Sequence, residues 1–234
     1  MSIGVLIALG LLPSITWLFF YLQEDRRHPE PIRLILYAFV VGGIVTFFVL
    51  VLQVFLRQGL GTIGIGPRHP FELFLFSAIE ELIKFTAVYL FISRRRDFNE
   101  PMDAMIYMVT VALGFAAVEN IASLGQQQTS LITGIQGLAS IEVLALRFFG
   151  ATLLHSLTGA IIGYHWGHAI ARGRDIGLGI TLGLGIAILL HATFNYLILI
   201  EGPITWALSF VIFIGFFVIG DFERLKKTDD FETE

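Results

Sequence analysis

The sequence predicts an all-α, polytopic membrane helix bundle of about seven transmembrane helices, with the N-terminus outside and the C-terminus cytoplasmic. Three observations predict it. The chain is 56% hydrophobic over 234 residues, with 22 Phe, and its mean hydropathy is +0.79, far more apolar than a soluble domain. Apolar runs long enough to cross a hydrocarbon core of about 30 Å, at roughly 20 residues per helix, occur seven times. The basic residues fall on alternate connections between those runs, as cytoplasmic loops require.

The runs cover 2–22, 32–56, 71–93, 102–124, 142–169, 176–200 and 203–220. No Lys or Arg precedes the first, and Arg26 and Arg27 follow it, which reads as a retained anchor rather than a cleavable signal peptide. Arg26, Arg27, Arg33, Arg94, Arg95, Arg96, Arg172, Arg174, Arg224, Lys226 and Lys227 lie on one side and only Arg57 and Arg68 on the other, an 11 to 2 division that sets the direction of every span. The two long loops, 57–70 and 125–141, then face outward and read as lids, binding segments or plain connectors. Residues 1–220 form a single membrane domain, and 221–234, ending in "TDDFETE", read as an acidic, disordered cytoplasmic tail. The chain has no cysteine, which excludes disulfides, thiolate nucleophiles and Cys metal sites. The lipid bilayer is the expected surrounding and no nucleic-acid partner is expected.

Ionisable and amide side chains interrupt four of these runs. Glu80, Glu81 and Lys84 lie on the third, Glu119 and Asn120 on the fourth, Arg147 and His155 on the fifth, and His191 and Asn195 on the sixth. A charge near a helix centre costs about 2.5–3.5 kcal/mol on insertion scales, against about 0.3–0.6 returned by each Leu, Ile, Phe or Val. With 13 such apolar residues on the third run, a gain of about 4–8 kcal/mol meets a cost of about 8–10. Its polar face therefore needs partners on other helices. Lys84 follows Glu81 by three and Glu80 by four, so a structural ion pair accounts for Lys84, and Arg147 also reads as structural. One lysine leaves the second carboxylate unexplained.

Depth brings these residues together. Counted from the outer end of each span, Glu80, Glu119, His155, His191 and Asn195 lie roughly 8–20 Å in at 1.5 Å per residue, so four helices can line one cavity. His191 and Asn195, at i and i+4, share a helix face. Two Glu, two His and an Asn around water point to hydrolysis: a carboxylate deprotonates water, and His or Asn stabilises the oxyanion or protonates the leaving amine. The same Glu80, Glu81, His155 and His191 could instead hold a divalent metal such as zinc. Spacing leaves the metal-dependent and metal-free versions open.

The segments "EELIK" at 80–84, "GFAAVEN" at 114–120, "RFFGATLLHSLTG" at 147–159 and "HATFN" at 191–195, in this order on successive spans, resemble the motifs of the PrsW family of intramembrane proteases. That family is similar in turn to the CAAX prenyl endopeptidase and bacteriocin-processing superfamily. The resemblance implies a bacterial cell-membrane endopeptidase that makes the site-1 cut in a single-span anti-sigma factor on the extracytoplasmic side, in regulated intramembrane proteolysis. It implies catalytic roles for Glu80 and Glu81 as the base pair, for His155 and His191 as oxyanion or acid groups, and for Asn195 as the partner of His191. Glu119 and Asn120 match the family pattern, and we read them, with Lys84 and Arg147, as supporting the site. Lys84 stands three after Glu81, and Ala151 four before His155, whereas the CAAX enzymes have Arg four after the second Glu and Phe four before the His; a prenylated substrate is not expected.

Two other functions use similar residues. A proton- or ion-coupled transporter places Glu and His in the membrane as a relay, but Pro13 and Pro203, the prolines at the spans, are away from the polar residues, unlike the broken helices of transporters. A non-catalytic module that binds membrane proteins would keep the bundle without needing both Glu and both His. His28, His69, His165 and His168 read as interfacial, and Trp17, Trp166 and Trp206 as interfacial anchors.

Overall fold

The computed structural model describes residues 2–25, 28–132, 150–199 and 204–229. Seven α-helices follow one another among them: α1 (Ile3–Leu22), α2 (Ile32–Thr62), α3 (Pro70–Phe91), α4 (Pro101–Ile132), α5 (Thr152–Ala171), α6 (Ile176–Leu199) and α7 (Ile204–Asp229). Five of them, α1, α2, α4, α6 and α7, are long and apolar enough to cross a membrane. The other two carry the polar residues. Glu72, Glu80, Glu81 and Lys84 all lie on α3, where each is buried, and α5 buries 14 of its 20 residues, including Thr152, His155, Ser156 and Thr158. Both bury these groups against other helices, so neither has to present an apolar surface all round to lipid.

The helices surround α4. Its Pro101–Gln126 span includes an apolar window that is 83% buried, compared with 17% for α1 and 22% for α6. It packs along α5, α2 and α1, while α6 closes against α5 and α3, and α7 against α5 and α6. Glycines let the central helices approach: a methyl group on Gly114 would strike the Phe39 carbonyl of α2, and one on Gly42 the Val111 carbonyl of α4. Small residues at such crossings let backbones touch where lipid gives no hydrophobic drive to associate. The apolar core continues from Ile35 and Ala38 through Met105, Val109 and Leu113 to Leu157, Ile161 and Ile162.

The structure differs from the sequence expectations at three helix ends and at Trp166. α2 runs past 56 to Thr62, burying Leu60, and α4 past 124 to Ile132, so part of each expected loop is helix. Of the loop 125–141, residues 133–141 lie outside the described residues. α7 continues to Asp229, so 221–229 are not a coil tail. Lys226 is tied to Glu24 at 2.6 Å, which holds the last turns of α7 to the connection after α1; the end of the tail, 230–234, lies outside the described residues. Trp166 is buried rather than interfacial, packed against Phe85 and Phe98.

A second polar group sits where α1, α2 and α4 meet. Asp103 caps the start of α4, its Oδ2 accepting from the backbone N–H groups of Asn99 at 2.6 Å and Glu100 at 2.8 Å. Glu30, in the connection before α2, accepts from the Tyr107 hydroxyl. Burial, and then a hydrogen bond with Asp103, push the Glu30 carboxyl up to about 8.

Candidate active site

The inward stripe of α3 runs Leu73, Ser77, Glu80, Glu81, Lys84, Val88, a 3.6-residue repeat that aims all six into the bundle. Glu81 and Lys84 are fully buried and joined at 2.8 Å. Three groups converge on Glu81 Oε1: Lys84 Nζ, His191 Nδ1 at 2.7 Å and the Thr158 hydroxyl at 3.2 Å. Lys84 reaches further, to His155 Nδ1 at 2.8 Å, and lies over the Phe115 ring, 4.6 Å from its centre. His155 Nε2 meets Glu119 Oε2 at 2.8 Å. A chain Glu81–Lys84–His155–Glu119 thus links α3, α5 and α4.

The donors settle the tautomers. An ammonium has no lone pair, so Lys84 donates to His155 Nδ1 and the neutral ring carries its proton on Nε2, donating to Glu119. Glu81 can only accept, so His191 carries a proton on Nδ1. Its Nε2 faces Glu80 Oε2 at 3.5 Å, and Glu80 Oε2 is buried without a hydrogen-bond partner among the described residues. The other oxygen, Glu80 Oε1, accepts from Gln53 Nε2 at 2.8 Å. The two imidazoles stand edge to face, 5.0 Å between centres.

These groups open on a cavity of about 310 Å³, lined by Glu80, Glu119, His155, His191 and Asn195 together with apolar side chains such as Leu73 and Phe194. The volume is at the lower end of the range for small-molecule pockets and is ample for water and a strand of substrate backbone. Asn195 lines it as expected from its place one turn after His191, but its amide donates to Ser77 at 3.3 Å, not to His191. Asn120 is turned away from the cavity: it donates to Thr152 at 2.9 Å and to the Gly10 carbonyl at 3.4 Å, stitching α4 to α5 and α1. Arg147 lies outside the described residues. Gln53 and Thr158 were not singled out in the sequence because neither ionises. The signal for Gln53 is a lone amide within the apolar run "VLQVF".

A divalent metal fits one subset of the residues anticipated for it. Glu80, His155 and His191 each offer a ligand atom, all within 4.8 Å of one another, a two-histidine, one-carboxylate donor set typical of catalytic zinc. The orphaned Glu80 Oε2 and the His191 Nε2 facing it suit a cation, with Glu81 behind His191 orienting the ring. A cation at His155 Nε2 would displace the proton given to Glu119. Glu81, expected in the ligand set, instead spends Oε1 on Lys84, His191 and Thr158.

Membrane-length helices around a buried cluster of carboxylates and imidazoles that opens on a cavity define a multi-pass membrane protein with an intramembrane ionisable site. Residues 30–220 match the family described as PrsW family intramembrane metalloprotease, and the chain belongs to that family. It is similar to Protease PrsW of Geobacillus kaustophilus, 27% identical over 195 residues covering 83% of this chain and 80% of the relative. Protease PrsW of Bacillus subtilis is 26% identical over 215 residues, 91% of each chain, and that of Clostridioides difficile 24% over 209 residues, 88% of this chain and 84% of the relative. No solved structure matches the chain. The protein is a peptidase of the bacterial cell membrane, which sets aside the transporter and binding-module readings.

Proposed function

We propose that this protein hydrolyses a peptide bond of a single-span membrane protein near the extracytoplasmic surface, with Glu80 as the base that activates water. The observation that carries the reading is the buried, unpartnered Glu80 Oε2 beside His191 Nε2 on a cavity that reaches the end of α6. Seven crossings with the N-terminus outside follow from the basic connections, and they put the first turn of α3 and the last turn of α6 on the outer side. The substrate class is the one the family resemblance implies, an anti-sigma factor cut at site 1.

In this reaction Glu80 Oε2 takes a proton from water as the water oxygen attacks the scissile carbonyl. His155, holding a proton on Nε2 because Lys84 occupies Nδ1, shifts that donor from Glu119 to the oxyanion, and the Asn195 amide adds a second donor. The proton on Glu80 passes to the leaving amine. Glu81 keeps the His191 tautomer fixed and Lys84 neutralises Glu81. If Glu80, His155 and His191 instead held a zinc ion, the metal would polarise the carbonyl and acidify the water in place of the free Glu80 base and the His155 donor.

Co-expression of a single-span anti-sigma factor with the wild type or Glu80→Gln, followed by mass-spectrometric mapping of the new terminus, tests this. A cut near the outer membrane surface that requires Glu80 is expected. Cleavage of equal extent by well-folded Glu80→Gln would refute the role of Glu80, and a cut on the cytoplasmic side would refute the topology.

A further inference from the structure

The geometry points to Gln53 of α2 as a positioning residue for peptide cleavage: its amide holds one oxygen of Glu80 so that the other faces His191 and the cavity. The inference deepens the protease reading and rests on it. None of the four sequence motifs lies on α2, so nothing in them assigns this helix a part in the site.

Three observations carry it. Gln53 is half-buried, on the side of α2 opposite the exposed Val51, Leu52, Val54 and Phe55, and an amide turned into a membrane bundle is expensive unless it is bonded. Its side-chain bond is to Glu80 Oε1 at 2.8 Å, the short contact of a neutral donor with a carboxylate. Glu80 Oε2 is left without a hydrogen-bond partner and turned toward His191 Nε2. One oxygen tied and one left open is how a base carboxylate is aimed; with both oxygens loose it would rotate about its last torsion, and small misplacements at a reacting centre are costly.

The same seam fixes the register. One turn beyond Gln53, Arg57 Nε binds Glu72 Oε1 at 2.7 Å, and its guanidinium lies 5.0 Å from the centre of the Phe76 ring. Glu72 Oε2 also accepts from the Arg68 backbone N–H at 2.7 Å. Glu72, Phe76 and Glu80 are successive turns of α3, as Gln53 and Arg57 are of α2, so the outer clamp keeps Gln53 level with Glu80.

The test compares wild type, Gln53→Met, Gln53→Asn and Glu80→Gln on one single-span substrate, with kcat, KM and thermal midpoint measured on folded, detergent-solubilised protein. Methionine keeps the length and removes the donor; asparagine keeps the amide one carbon short. Both are expected to lower kcat about 10- to 100-fold, the rate equivalent of a hydrogen bond to a charged group, with KM within about twofold and an unchanged midpoint. A purely structural role would lower the midpoint and leave kcat per folded molecule alone. If wild type cuts, Glu80→Gln does not, and both Gln53 variants keep wild-type kcat or lose only in KM, the inference fails while the protease reading stands. If wild type cuts none of several substrates, the protease reading fails and the inference falls with it.

Discussion

Replacing Lys84 by Met is the sharpest probe of the buried network. Lys84 Nζ is fully buried, 2.8 Å from both Glu81 Oε1 and His155 Nδ1, and over the Phe115 ring. Methionine fills nearly the same volume and removes the charge, leaving Glu81 ionised in a dry place with only His191 and Thr158 donating. Removing one partner of a buried pair costs about 3–5 kcal/mol, and the lost cation–π contact is worth about 0.5–2 kcal/mol of the same interaction. For a chain of this size, taking the soluble-protein scale as a guide, about 2–4 °C of thermal midpoint accompanies each kcal/mol, so Lys84→Met is expected to melt roughly 6–20 °C lower. The assay is thermal unfolding in a mild detergent, run beside Glu81→Gln and the double variant. Because the cost comes from the stranded carboxylate, the double variant should recover most of the loss and show a coupling of about 2 kcal/mol or more. A Lys84→Met protein that melts within a degree or two of wild type, or a double variant whose losses simply add, would refute the account of Lys84 as the counter-charge of Glu81.

Other expectations follow from single features. Gly114→Leu drives a side chain into the Phe39 carbonyl and should lower stability by about 1–3 kcal/mol or more, read as a lower melting midpoint. Glu30 has a folded-state value near 8 against an ordinary value of 4.5, with Asp103, Tyr107 and Asp25 facing it; the folded state therefore binds the extra proton, and stability falls as pH rises from about 4.5 to about 8. Glu30→Gln should flatten that slope in melting curves taken across the window, and an unchanged slope would remove Glu30 as its source. Zinc offered to metal-free protein should be retained by the wild type and lost from His191→Ala, measured by elemental analysis after gel filtration.

Much of the site was legible because lipid makes every ionisable side chain conspicuous. Glu80, Glu81, Lys84, Glu119, His155 and His191 stand out one by one against apolar runs, and the depth argument that groups them needs only helix rise and topology. Their pairings were not legible. Lys84 meets the expected Glu81 at i+3, but its second partner, His155, is 71 residues away, a matter of helix rotation that spacing cannot express. Asn195 has the expected face and a different partner for the same reason. Gln53 escaped because an amide carries no charge to draw attention, and Trp166 was misplaced because a tryptophan near a span end is usually interfacial. Helix ends were the least legible parts: "RQGLGT" after Leu56 and "GQQQTSLI" after Leu124 contain no proline to stop a helix, and the hydrophobic pattern fades before the helix does.

The buried polar stripe of α3 also bears on how the protein enters the membrane. The third helix emerges from the ribosome after Gln53 and Arg57 of α2 but before the groups that meet Glu81 and Lys84: His155 and Thr158 on α5 and His191 on α6. Its own apolar residues do not outweigh its charges, so alone it has no net reason to stay in lipid. Stable insertion of α3 is then a late event, completed when α5 and α6 arrive, and a chain cut short after α3 would leave that helix outside the bilayer. Assembly of the polar site and completion of the membrane topology become one step, so a protein that is fully inserted is also one whose site has formed.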